Sequence, residues 1–129
     1  MNSPLTDFFQ GTLSLDELRG IAKERIYKVE NTKSISGLEQ STQIFRLSTI
    51  HLIQLCDLTI AGQVSSEELS DLAFWIQAAD EVDWDEADEV ITETLFDWAN
   101  PEVNFPLTPA TLKRFRERLM TGDLSVTIE

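Results

Sequence analysis

The sequence predicts an all-α fold, a bundle of five or six helices around a central apolar helix at about residues 37–61. The segment Ile44–Ile60 is apolar on nearly every side, which is typical of a helix in the middle of a bundle. Capping boxes mark helix starts at Ser14, Ser36 and Ser65, each with a glutamate three positions later. β-hairpin turn signals are absent, so we expect no hairpins.

Two helices are predicted before the central one. Ser3 followed by Pro4 is typical of an N-cap and a first helical position, and it predicts a short helix that ends at Gly11. A second helix begins after the first capping box, and its apolar residues keep helical spacing as far as Val29. Residues 31–35 are interpreted as a loop.

Three helices are predicted after the central one. The first follows Ser65, the second is acidic and spans about Asp83 to Ala99, and the third begins at Thr108 and ends at Gly122. The inward residues of the first are Leu69, Leu72, Ala73, Ile76 and Ala79. Those of the acidic helix are Trp84, Ala87, Ile91, Leu95 and Trp98. Those of the last helix are Leu112, Phe115 and Leu119.

The composition indicates one folded domain, residues 1–129, with a strongly acidic surface. Hydrophobic residues make up 42% of the chain and include three Trp and seven Phe, which is enough for a core. The net charge of −13 destabilises the folded protein through repulsion between like charges, so we expect this charge to serve a function. Direct binding to nucleic acid or to an anionic membrane is disfavoured, because both need clustered Lys and Arg.

The sequence favours a cytoplasmic location. Cys56 is the one cysteine, so no intrachain disulfide can form, which fits a reducing compartment. The N-terminal residues lack the basic and apolar regions of a signal peptide. No apolar run reaches membrane-spanning length.

Groups able to support catalysis are few. His51 is the one histidine, and Cys56 follows it by five positions, so the two side chains diverge around a helix. We interpret them as a partly buried structural histidine and a small core residue. The acidic residues lack the spacing of a calcium loop, and one histidine cannot complete a di-iron site. We therefore expect no enzyme activity, no cofactor and no metal, with a small enzyme or metal protein as the least favoured alternative.

The acidic stretch Asp80–Glu102 is the most unusual part of the chain. It carries ten carboxylates and no Lys or Arg, and the 66 residues between Arg46 and Lys113 hold fourteen acids and likewise no Lys or Arg. A solvated acidic tail would lack the apolar residues found here, so we interpret it as a helix with a negative face. Like charges three or four positions apart destabilise a helix by about 0.2–0.5 kcal/mol per pair. Such a face therefore favours partner binding over simple solvation.

Two aromatic residues, Phe74 and Phe96, are predicted to point into this negative surface. Exposed aromatic side chains within a charged patch are typical of protein interfaces. The candidate partner-binding residues are Glu67, Asp71, Phe74, Asp85, Glu86, Glu89, Glu93, Phe96 and Asp97.

The run Asp80–Asp97 with its Phe96, together with the acidic segment Glu67–Asp71, resembles the acidic helical immunity proteins of colicin and contact-dependent growth inhibition systems. This resemblance implies that the partner is a cognate toxin, a nuclease domain with a basic surface, bound as a one-to-one complex. The alternative function is a DNA mimic or regulatory adaptor that binds a nucleic-acid-binding protein.

Overall fold

The structure is a computed structural model that describes residues 4–29, 32–35, 44–85, 87–101 and 105–128. Within them, the helices are α1 Pro4–Phe9, α2 Leu15–Arg25, α3 Thr49–Ile60, α4 Ser66–Ala78, α5 Glu89–Ala99 and α6 Pro109–Thr121. The strands are β1 Ile26–Val29, β2 Thr32–Ile35, β3 Phe45–Arg46 and β4 Val82–Asp83. Helix dominates the described chain, so the all-α prediction is confirmed.

The core lies between two pairs of helices. α3 packs mainly against α6 and α4 mainly against α5, and α3 also contacts α4 and α5. The rings of Trp98 and Phe115 meet edge to face at 6.0 Å and join α5 to α6. The largest fully buried apolar side chains are Trp75, Trp98, Phe115, Leu5, Leu18, Leu52, Leu55, Leu69, Ile76, Leu95 and Leu112.

The central helix starts later than predicted. Its predicted start at residues 36–43 lies outside the described part of the chain, and α3 begins only after Ser48. Ser48 has extended backbone angles, and its amide donates a hydrogen bond to Nδ1 of His51 at 3.0 Å, which caps the helix. Just before this cap, Phe45 and Arg46 form β3, which pairs in parallel with β4.

Burial of α3 is also one-sided, although its sequence is apolar all round. Leu52, Leu55 and Cys56 are buried where the helix contacts its neighbours. Ile50 is 72% exposed, and Ile44 just before β3 is 59% exposed. The prediction of a helix covered on every side was therefore wrong, because neighbouring helices cover one side of it and leave the opposite side open.

A hairpin follows α2, where the sequence predicted a longer helix and then a loop. α2 ends at Arg25, and Ile26 has the extended angles φ −95° and ψ 125°. β1 pairs antiparallel with β2, with Ile26 opposite Ile35. β-branched residues such as these favour a pleated strand. The expected helical position of Val29 and the expected absence of hairpins were therefore wrong.

The acidic helix begins at Glu89, whereas the sequence predicted a start near Asp83. Asp83 belongs to β4, and the Asp85 carboxylate accepts the Ala87 N–H at 3.0 Å in a local turn that competes with helix. Asp88 is the N-cap, and its carboxylate accepts the Ile91 N–H at 3.4 Å. Several aspartates in this stretch could cap a helix, and the one immediately before the apolar run does so.

The other predicted helices are confirmed. α1 begins at Pro4 and is followed by Gly11 at φ 85°. α6 begins after Thr108, whose hydroxyl accepts the Thr111 N–H, and ends at Gly122 in the left-handed conformation. The inward residues predicted for α4 and α6 are buried. They are Leu69, Leu72, Ala73 and Ile76 on α4, Ala79 directly after it, and Leu112, Phe115 and Leu119 on α6.

Candidate partner-binding surface

One side of α5 is exposed along most of its length. Its exposed residues are Glu89, Thr92, Glu93 and Phe96, and we refer to them as the α5 strip. At about 100° per residue, these four side chains fall within an arc of roughly 100°. Ile91, Leu95 and Trp98 occupy the buried side. The predicted helical phase is therefore correct for α5 itself.

Phe96 is the aromatic residue of the strip and is 49% exposed. Glu89 and Glu93 lie four positions apart on the same side and are both exposed. Neither glutamate side chain forms a hydrogen bond or ion pair with any residue that the structure describes. The strip thus combines a large apolar side chain with two uncompensated negative charges.

Asp97 does not belong to this exposed surface, contrary to the prediction. It is 6% exposed and forms an ion pair with Arg118 of α6, with 3.4 Å between Oδ2 and Nη1. Burial raises the pKa of Asp97, and the charge and hydrogen bond of Arg118 oppose that shift. Asp97 therefore lies in the contact between α5 and α6 and not on the exposed side of α5.

Other acids of the predicted face have local roles or lie elsewhere. Asp85 is exposed but holds the turn before α5. Asp83 pairs with Arg46 across the small parallel sheet at 3.3 Å. Glu81 is 2% exposed, so it adds nothing to the surface charge that a partner would meet at contact distance. Glu86 lies outside the described residues.

Trp84 extends the α5 strip in a way that the sequence did not predict. Its indole Nε1–H donates a hydrogen bond to Oγ1 of Thr92 at 3.0 Å, and its half-buried ring packs against the core. The predicted placement of Trp84 and Ala87 on the acidic helix was wrong, because both residues precede α5, and Ala87 is exposed. An indole N–H that is partly buried usually needs a hydrogen-bond acceptor, and the sequence could have indicated this for Trp84. It could not identify Thr92 as the acceptor, because that pairing depends on the turn at Asp85.

The candidate residues on α4 share one side of that helix. Glu67 is exposed, whereas Asp71 and Phe74 are half-buried. Asp71 lines a cavity of about 190 Å³ between α2 and α4, where the neighbouring Glu68 binds Arg19 of α2. Asp71 therefore belongs to the α2–α4 interface. Phe74 is less exposed than Phe96, so Phe96 is the better candidate for an interface anchor.

The candidate reactive residues have structural environments. His51 is half-buried and accepts the Ser48 N–H at the start of α3, as predicted for a structural histidine. Cys56 is fully buried, and its thiol donates to the Leu112 carbonyl at 3.1 Å. Burial is the largest of the causes that raise the pKa of Cys56 to about 12. Both the burial and the pKa disfavour a reactive thiolate.

The described part of the chain contains no cluster of three or more His, Cys, Asp or Glu side chains placed to hold a metal ion. None of its helices is long and apolar enough to cross a membrane.

Comparisons with models of protein families, with curated proteins and with solved structures found no match to this chain.

Proposed function

We propose that this chain is a cytoplasmic immunity protein that binds a cognate toxin, a nuclease domain with a basic surface, as a one-to-one complex and neutralises it. The α5 strip would form the centre of the contact surface, with Trp84 at its border. The observation that carries this proposal is the exposure of Phe96 on the same side of α5 as Glu89 and Glu93.

The exposed aromatic ring supports a binding role. A half-exposed Phe loses hydrophobic stabilisation in the free protein, which it would gain when a partner covers it. Large side chains near the centre of an interface contribute most of its binding energy. Trp84, held by Thr92, would place a second aromatic side chain at the border of the same contact.

The charges support a basic partner. Glu89 and Glu93 repel each other across one helical turn, and the strip contains no Lys or Arg that could offset the repulsion. A positive surface would relieve this repulsion and would be attracted over long distances by the net charge of −13. Nuclease toxins need such a positive surface in order to hold phosphates.

Inhibition would follow from occupation of the nucleic-acid-binding surface. A partner that covers its phosphate-binding residues with the α5 strip cannot bind substrate at the same time. Electrostatic attraction would speed association and select the cognate toxin, while Phe96 would slow dissociation.

A growth and nuclease experiment tests the proposal. The product of the gene immediately upstream is expressed in a bacterial host with and without this chain, and then purified and assayed on plasmid DNA and total RNA. We expect this product to arrest growth and degrade one of the substrates, and an equimolar amount of the chain to abolish both effects.

Two results would overturn the proposal. One is an upstream product that is neither toxic nor bound by the chain. The other is binding to a nucleic-acid-binding protein without nuclease activity, which would support the DNA-mimic or adaptor alternative. For variants of the α5 strip, Glu24→Lys combined with Glu117→Lys provides a control, because both residues are exposed and lie outside that strip.

A further inference from the structure

The junction between β3 and α3 is held by the one histidine of the chain. The Ser48 N–H donates to Nδ1 of His51 at 3.0 Å, and His51 occupies the third position of α3. Capping boxes ordinarily use Glu or Gln at this position, neither of which loses its acceptor near neutral pH. Here the acceptor is an imidazole nitrogen, which loses its lone pair when it is protonated.

The ring of His51 also connects three elements. It lies 4.8 Å from the ring of Phe45 on β3 and 5.2 Å from the ring of Phe9 on α1, measured between centroids. Phe9 and Phe45 stack on each other at 5.5 Å. The position of the imidazole therefore affects how α1, β3 and α3 meet.

We infer that His51 is a proton-sensitive latch: protonation of Nδ1 releases the Ser48 amide, and β3 then separates from β4. The backbone bonds next to the latch support the second step. The Phe45 N–H donates to the Glu81 carbonyl at 2.7 Å, and the Leu47 N–H donates to the Asp83 carbonyl at 2.8 Å. A two-residue strand has few other bonds to hold it.

Protonation at this place is unfavourable for several reasons. Burial lowers the pKa of His51, and a backbone hydrogen bond with Ser48 opposes part of that shift. A positive charge in the first turn of a helix opposes the helix dipole. The Ser48 hydroxyl lies 3.3 Å from Nδ1 and can accept a hydrogen bond from the protonated ring. The Ser48 amide N–H, however, then faces the ring N–H, which is a donor and not an acceptor. The Phe9 and Phe45 rings can attract the cation, but they cannot replace the lost acceptor.

Other ionisable groups on these elements are Asp7 on α1, Arg46 on β3 and Asp57 on α3. Asp83 on β4 pairs with Arg46 at 3.3 Å, and Arg116 on α6 pairs with Asp57 at 2.6 Å. None of the described ionisable side chains bonds to His51 itself, so its proton acts through Ser48.

The direction of the pH effect follows from the lowered pKa. The unfolded chain takes up the proton near the ordinary value of 6.5, whereas the folded chain resists it. The stability that the neutral His51 contributes is therefore fully present above pH 6.5 and is lost as the pH falls through the lower pKa of the folded protein. The inference does not depend on the proposed toxin partner.

Amide hydrogen exchange between pH 7 and pH 5, corrected for the intrinsic exchange rate, tests the latch together with NMR titration of the His51 ring. We expect the protection of Phe45, Leu47 and Ser48 to fall at least about tenfold as His51 is protonated. In His51→Gln, which keeps an acceptor that does not titrate, we expect protection to stay level over the same range.

Ser65 provides an internal control in the same sample, because its amide donates to the Glu68 carboxylate at 2.9 Å in an equivalent capping box. Partial burial opposes ionisation of Glu68, but hydrogen bonds from Ser65 and Arg19 outweigh it and lower the pKa of Glu68. Ser65 should therefore show no change. If His51 is protonated while the three amides keep their protection, or if His51→Gln loses protection equally, the latch is refuted. Loss at Ser48 alone would refute the release of β3.

Discussion

Asp97 on α5 and Arg118 on α6 form a buried ion pair in which Oδ2 and Nη1 are 3.4 Å apart and both side chains are less than 10% exposed. Nε of Arg118 is buried and has no hydrogen-bond partner among the described residues, and the guanidinium lies 5.3 Å from the centre of the Phe115 ring. Both charges have lost most of their hydration, and the long separation limits their attraction. The pair therefore fixes how α5 meets α6 without adding much net stability.

Arg118→Met alone should lower the free energy of unfolding by about 3–5 kcal/mol at pH 7, because it leaves Asp97 charged and buried. Asp97→Leu combined with Arg118→Met should restore the wild-type value or exceed it, since apolar side chains replace both charges. Urea denaturation of the three proteins measures these changes. A double variant as unstable as Arg118→Met would show instead that the ion pair has a large net stabilising effect.

The same variants should differ in their response to pH. Burial already raises the pKa of Asp97, and removal of Arg118 removes the charge that opposes this shift. A raised pKa stabilises the folded protein at low pH and loses that effect as the pH rises. The deficit of Arg118→Met relative to wild type should therefore shrink between pH 7 and pH 4.5. The double variant lacks the carboxyl group and serves as the control, so a similar trend there would exclude Asp97 as the cause.

Two residues on α3 test its one-sided burial. Leu52 is 0% exposed, so Leu52→Ala should cost about 2–5 kcal/mol of unfolding free energy. Ile50 is 72% exposed, and Ile50→Ala should change stability by less than about 0.5 kcal/mol. Thermal and urea unfolding give both values. Equal losses for the two variants would mean that the outer side of α3 is covered in solution.

Cys56 reports the opening of the α3–α6 interface. Its thiol is fully buried, its pKa is raised to about 12, and it donates to the Leu112 carbonyl. Reaction with a disulfide reagent should therefore be slower than in the urea-unfolded chain by roughly 10³-fold or more, because it requires opening of the fold. Stopped-flow absorbance measures the rate. Labelling at the unfolded rate in native buffer would contradict the burial of Cys56.

The sequence predicted those helices whose ends are marked by a single clear signal. Thr108 with Pro109 begins α6, Gly122 ends it, and Ser65 with Glu68 forms the capping box before α4. Helical periodicity then assigned the buried side of each helix, because these helices pack along one face.

The errors arose where several local signals compete or where a distant partner decides the structure. Asp83, Asp85 and Asp88 can each cap a helix, and the pairing of β4 with β3 determines which of them does so. That pairing joins segments far apart in the sequence, so no local pattern records it. The burial of Asp97 likewise depends on Arg118, which lies 21 positions later. Periodicity alone could place Asp97 near the edge of the strip, but it could not reveal this partner.

Reversal of the two charges on the α5 strip should separate binding from folding. Glu89→Lys with Glu93→Lys keeps like charges at the same spacing, so the unfolding free energy should stay within about 1 kcal/mol of wild type. Association with the purified product of the upstream gene should slow at least about tenfold and depend less on salt. Stopped-flow binding at several salt concentrations tests this expectation. The control pair Glu24→Lys and Glu117→Lys changes the net charge equally, so an equal loss there would assign the effect to net charge alone.

Two measurements on one preparation of Phe96→Ala test the central claim most directly. They are thermal unfolding and a binding titration with the purified upstream product. Because the ring is 49% exposed in the free protein, we expect stability to change by less than about 0.5 kcal/mol and binding to weaken by about 2 kcal/mol or more, mainly through faster dissociation. Phe115→Ala is the matched buried control and should cost about 3–5 kcal/mol of stability. Unfolding of Phe96→Ala like this control, or unchanged affinity for a toxin that the wild type neutralises, would contradict the claim that the α5 strip binds the partner.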